Sequence, residues 1–117
     1  MTKKRYDNNS TQFGLWLREQ ACIDSHLGFV ATNLDYIWCN YKTGQWMILE
    51  EKRYGASVKF YQKRIFDKID KLCSSDSLYR GFHTIVFENT NPADGKIFID
   101  NKEVNTVQLL HFLRFEI

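Results

Sequence analysis

The chain has 117 residues, enough for one hydrophobic core and too few for two. Its 44% hydrophobic and 26% charged residues are ordinary for a folded, soluble domain, and 15% aromatic is high. No apolar run approaches a membrane span and no charged-then-apolar leader opens the chain. A net charge of +2 is too small by itself to demand a polyanionic partner, so the distribution of charge carries more weight than its total.

Residues 1–10 are polar, with Lys3-Lys4-Arg5 near the start, and read as a flexible arm ahead of a single domain over 11–117. Ser10-Thr11 provides an N-cap, and Phe13, Trp16 and Leu17 on successive turns predict a helix to about Cys22. Asp24-Ser25-His26 makes a polar turn, after which Leu27–Thr32 is expected as a short strand. Ser25 and His26 do not make a hydrolase site, because no nucleophile-elbow glycine pattern surrounds the serine. Cys22 and His26 stand four apart, but no second closely spaced pair completes a zinc site. Three irregularly spaced cysteines, Cys22, Cys39 and Cys73, fit a reducing, cytoplasmic setting.

Two aromatic-rich runs, Asp35–Tyr41 and Trp46–Lys52, flank Lys42-Thr43-Gly44-Gln45 and predict a β-hairpin. Acidic and basic residues stand in these strands where an apolar run should continue into a core. Residues two apart on a strand share a face, so Glu50 and Lys52 project together and Glu51 projects the other way. Folding about residues 42–45 sets Asp35 near Lys52, within reach of Glu50. Two nearby carboxylates repel unless a cation lies between them, and hard oxygen ligands suit Mg2+, with Mn2+ able to substitute. Lys52 is then placed to orient a metal-bound water or to stabilise charge on a phosphate.

After Gly55, Val58, Tyr61, Ile65, Ile69 and Leu72 follow a helical period, predicting an amphipathic helix from Ala56 to Cys73. Lys59 and Lys63 lie on it and Arg53 just before it, so a basic patch borders the proposed metal site. Amide dipoles at the start of this helix can face a phosphate. Gly81–Glu88 alternates as a strand, 89–95 is a loop, Lys96–Asp100 is a further strand, and Asn101-Lys102 begins a turn. Asn105 or Thr106 caps a final helix reaching Arg114. The fold class is α/β with a mixed central sheet.

Asp35, a gap, then Glu50-Glu51-Lys52 resembles the D…(D/E)XK signature of the PD-(D/E)XK nucleases, the superfamily of many restriction enzymes and Holliday-junction resolvases. Leu34 stands where the signature has proline. The resemblance implies an αβββαβ core over residues 11–89, followed here by a strand and a helix. It implies that Asp35 and Glu50 hold the metal, that Lys52 serves the attacking water, and that Glu51 lends its main-chain carbonyl. Glu19, on the helix before the strands, and Gln62, ten residues beyond Lys52, are the supporting residues it brings in. The expected activity is Mg2+-dependent hydrolysis of phosphodiesters in DNA, with Arg53, Lys59 and Lys63 on the nucleic acid and a homo-oligomer supplying a second site. The competing expectation is a non-catalytic nucleic-acid or protein binding module on the same fold, using tryptophans and tyrosines as stacking platforms.

Overall fold

The computed structural model describes residues 11–116. They divide into two compact units, one reaching Thr32 and the other beginning at Asn33. The expected arm over residues 1–10 lies outside the described residues.

In the first unit, α1 spans Gln12–Arg18, with the Thr11 hydroxyl accepting from the Gly14 N–H at 3.0 Å. Phe13 and Trp16 stack, ring centroids 6.1 Å apart. The helix is shorter than its periodicity predicts, and the chain continues as two single-turn 3-10 helices, Ala21–Ile23 and Ser25–Leu27. The expected strand over 27–32 does not form. The Asp24 carboxylate accepts from both the His26 N–H and the His26 ring, at 3.1 and 2.8 Å, so local side-chain bonds hold a turn where apolar content alone favours extension.

The second unit is a five-stranded sheet in sequential order: β1 Tyr36–Cys39, β2 Trp46–Lys52, β3 Tyr79–Phe87, β4 Ile97–Ile99 and β5 Lys102–Val104. All neighbours are antiparallel except β2 and β3, which run parallel and are joined by α2, Phe60–Cys73. A parallel pair needs such a crossover, and the 3.6-residue period after Gly55 announces it. The final helix, α3, spans Thr106–Leu113, where Asn105 and Gln108 cap each other reciprocally.

The register corrects the hairpin expected from sequence. Tyr36 pairs with Leu49 and Cys39 with Trp46. Asn40 Oδ1 accepts from the Lys42 and Thr43 N–H groups, which starts the turn earlier than a loop over 42–45 does, and Gly44 completes it at φ 82°. Continued by one residue, this register sets Asp35 opposite Glu50 and not Lys52. A second correction lies at the far edge. Asp100 and Asn101 both take left-handed backbone, φ 49° and 69°, making a two-residue turn that folds β5 back on β4 where only the start of a turn is expected. Asp100 is held there by His83, whose ring bonds Asp100 at 2.7 Å and the Arg80 carbonyl at 2.7 Å.

The two faces of the sheet are covered differently. Met47, Leu49, Ile85 and Phe87 project toward α3, where Leu109 and Phe112 complete the buried cluster. The Trp38 indole N–H donates to the Leu113 carbonyl at 2.7 Å and ties the end of α3 to β1. The opposite face meets α2 through Phe66, which stacks on Phe82 with centroids 4.5 Å apart. Glu50 and Lys52 project to this second face. Two strands precede α2 in this unit, not three, so the specific αβββαβ core is narrowed to a hairpin, a crossover helix and a parallel strand within a mixed α/β fold.

Candidate active site

β2 is buried from Met47 to Glu50 because both of its neighbours are present and both faces are covered. Glu50 is therefore the one buried charged residue among those described, 4% exposed. Its Oε2 has no hydrogen-bond partner. An unpartnered buried carboxylate oxygen is costly, and native interiors retain few of them.

Asp35 stands beside it, immediately before β1. Its Oδ2 accepts from the Glu51 main-chain N–H at 2.8 Å, which pins the carboxylate across β2. Burial first, then hydrogen bonding to Asp35 and the Asp35 charge, push the Glu50 carboxyl up to about 8, with Lys52 pulling it down. Near neutral pH the Asp35–Glu50 pair thus holds a proton or requires another cation. On the far side of Glu50 the parallel register places Thr84, and beside Lys52 it places Val86.

Lys52 Nζ donates to Gln62 Oε1 at 3.4 Å, and the same oxygen accepts from the Lys59 N–H at 3.4 Å. Gln62 thereby fixes the first turn of α2 and aims the ammonium of Lys52. The sequence places Asp35, Glu50 and Lys52 in one cluster, the resemblance adds Gln62, and the structure brings them together. Glu51 faces away: its carboxylate accepts from the Tyr36 hydroxyl at 3.1 Å and from Arg53 Nε at 2.7 Å, leaving only its carbonyl for the role the resemblance implies. Glu19, the residue after α1, belongs to the first unit and is described there alone.

Of the expected basic residues, Lys59 and Lys63 stand at the start of α2, and Arg53 is turned with Glu51 to the opposite face. Arg53 pairs with Glu51, Lys63 pairs with Asp67 at 3.2 Å, and Lys59 Nζ lies 5.9 Å from the Tyr61 ring centroid. Exposed pairs of this kind contribute little to stability and can exchange their partner for a phosphate. One strand over from Glu50, a groove of about 590 Å³ opens between α2 and the sheet, with Phe66, Phe82 and Phe98 lining its apolar part and Lys63 and Asp67 its polar part. Thr84 and this groove are not readable from sequence, because they depend on how far β3 slides along β2.

Among the described residues, no group of three or more His, Cys, Asp and Glu side chains could hold a metal. A cation here would have only two carboxylates as protein side-chain ligands. The donor set still fits a hard divalent ion: two oxygen anions side by side, one with an unused lone pair, and an ammonium at the edge. Among the described residues, no helix is long and apolar enough to cross a membrane. No family model, no curated protein and no solved structure matches the chain, so the chemistry of this site is read from its own residues.

Proposed function

We propose that the chain is a metal-dependent nuclease of the PD-(D/E)XK type, hydrolysing phosphodiester bonds in DNA. The observation that carries this reading is the buried, partnerless Glu50 oxygen beside Asp35, with Lys52 on the same face two residues along. A structural carboxylate has no need to be buried against a second carboxylate, whereas a cation site does. The location agrees with the chemistry. β2 and β3 are parallel, and the pair lies toward their carboxyl ends, where α/β sheets bind ligands.

Asp35 and Glu50 would hold Mg2+, or Mn2+ in its place, with the Glu51 carbonyl and solvent filling the shell. Mg2+ so bound supplies Lewis-acid polarisation of the scissile phosphate and eases deprotonation of water. The remaining steps belong to side chains. Lys52, oriented by Gln62, donates to a non-bridging phosphate oxygen and offsets the charge that develops there. The water gives a proton to solvent and its oxygen forms a bond to phosphorus as the bond to the leaving oxygen breaks, and that oxygen takes a proton from solvent. Lys59 and Lys63 meet the neighbouring phosphates, while Arg53, turned to Glu51, is not on this face.

Asp35→Ala keeps every apolar contact of the sheet and removes one ligand, so it is expected to abolish Mg2+-dependent cleavage of plasmid and linear DNA while circular dichroism stays unchanged. Retained metal-dependent cleavage by a folded Asp35→Ala protein contradicts the assignment. The absence of a third carboxylate among the described residues favours one other reading, a binding module on the same scaffold. Nucleic-acid binding that is indifferent to chelator, with no cleavage, selects it. The three cysteines, all free, support a reducing, cytoplasmic setting for either.

A further inference from the structure

His83 stands where β3, α3 and the β4–β5 turn meet. Its ring meets the Phe112 ring of α3 edge-on, with centroids 4.9 Å apart, and it reaches Asp100 in the turn. Nδ1 lies 2.7 Å from Asp100 Oδ2, and Nε2 lies 2.7 Å from the Arg80 carbonyl oxygen. A main-chain carbonyl can only accept. Asp100 is committed as an acceptor too, because its other oxygen takes the Thr84 N–H at 3.0 Å. Against burial, the bonds from His83 and from that N–H hold the Asp100 carboxyl below its ordinary value, in the ionised form. A neutral imidazole carries one N–H, so it would set a bare ring nitrogen against an oxygen lone pair at one of the two contacts. The imidazolium satisfies both.

The ring has a place built for it. Gly81 takes left-handed backbone, φ 102°, and a Cβ there would come within 2.9 Å of His83 Nε2, so glycine is what lets the ring fold back over the Arg80 carbonyl. The surrounding charges favour the cation. Asp100 from the turn and Asp70 from α2 are both negative, and α3 presents an uncharged ring. β2 sets apolar Leu49 at the register position beside His83, the Arg80 guanidinium is turned to the Ser77 and Tyr79 carbonyls, and Lys102 of β5 is exposed to solvent. Burial works against charge on the ring, but its bonds to Asp100 and Arg80 and the two carboxylates outweigh it and raise its pKa above the ordinary 6.5.

We propose that His83 is held as an imidazolium through both ring N–H groups and works as a proton-dependent clamp, closing the β4–β5 turn onto β3 and opening it as the proton leaves. The inference stands apart from the nuclease reading. A group raised in this way contributes its full stabilisation below about pH 6.5 and loses it as pH rises through the folded value. Rising pH is therefore the releasing signal. Thr84, Asp100 and Asn101 line the groove between α2 and the sheet, so release loosens one wall of that groove.

The test is a pH titration of the full chain from about 5 to about 9, followed by NMR, across the range where a histidine changes charge. It reads the His83 ring nitrogens and the hydrogen-exchange protection of the Thr84 and Asp100 amides, which bond across the clamp at 3.0 and 2.9 Å. Wild type is expected to show both ring nitrogens protonated up to a midpoint above 6.5. Protection of the two amides should fall about 10- to 150-fold through the same midpoint, the amount that a hydrogen bond to a charged group contributes. His83→Gln keeps one donor and has no titrating ring, so the step in amide protection should vanish. Asp100→Asn suits the left-handed backbone at φ 49°, keeps the turn, and should move the His83 midpoint down. Glu50→Gln should retain the His83 step, which separates it from the titration of that carboxyl. A midpoint at or below 6.5, a ring nitrogen unprotonated below the midpoint, amide protection that does not follow the ring, or the same step in folded His83→Gln overturns the inference.

Discussion

The two faces of the sheet are built to opposite rules. Toward α3, β2 contributes Met47 and Leu49 to an apolar cluster closed by Leu109 and Phe112. Toward α2, the same strand contributes Glu50 and Lys52, a carboxylate with an unpartnered oxygen and an ammonium held by a glutamine. A single strand thus alternates between holding the domain together and presenting charge. The α3 face supplies stability that the α2 face can draw on, because burying an uncompensated carboxylate costs folding free energy.

The sharpest way to break this contrast is to damage the apolar face. Met47 is 1% exposed, and Met47→Ala is expected to cost about 2–5 kcal/mol in urea denaturation. A loss under about 1 kcal/mol means the α3 face is not where the stability resides.

Next in size is the opposite manipulation, neutralising the charged face. Glu50 has a folded pKa of about 8 against an ordinary 4.5. A group raised in this way contributes its full stabilisation below about pH 4.5 and loses it as pH rises through about 8. Wild type without metal should therefore weaken over that window by a few kcal/mol, since each tenfold change in proton affinity corresponds to roughly 1.4 kcal/mol. Glu50→Gln should flatten the profile and be the more stable protein at pH 9, while losing cleavage. A variant less stable than wild type at pH 9 shows that Glu50 holds the fold through contacts that need its charge.

The smallest effect is expected at the edge of the site. Gln62→Ala removes the acceptor of Lys52 and of the Lys59 N–H, both at 3.4 Å, and should cost no more than about 1 kcal/mol of stability. Cleavage should fall about 10-fold, with binding of the oligonucleotide little changed, as befits a residue that orients another. Equal losses in binding and turnover would make Gln62 a substrate contact.

How much of this was legible in the chain varies with the range over which each feature is determined. β2 begins and ends where alternation and charge place it, and α2 ends at Cys73 as the apolar period requires. Asp35, Glu50 and Lys52 were readable as a cluster because a hairpin gathers them locally, whereas Gln62 was brought in by the resemblance. The partner of Asp35 was not readable, since one side chain, Asn40, starts the turn early and shifts the register by two residues in sum. Helix α2 starts at Phe60 and not Ala56 because Lys59, in extended backbone, is its N-cap and gives its N–H to Gln62. β5 depended on the Asp100-Asn101 turn, a pair of residue types known for left-handed backbone, which the following Lys102 disguised as an open loop. The expected strand over 27–32 rested on apolar composition alone; Leu27 ends a 3-10 turn instead, and Gly28 leaves it in left-handed backbone.

The central claim, that Asp35 and Glu50 share a cation, is tested most directly by calorimetric titration of Mn2+ at pH 7 in two buffers of different ionisation enthalpy, with and without a non-hydrolysable oligonucleotide. A carboxyl with a pKa near 8 must give up its proton when the metal arrives. Wild type is predicted to bind Mn2+ and to release close to one proton per ion, and folded Glu50→Gln to do neither. Binding without proton release, binding retained in Glu50→Gln, or no binding to folded wild type in either condition contradicts the account.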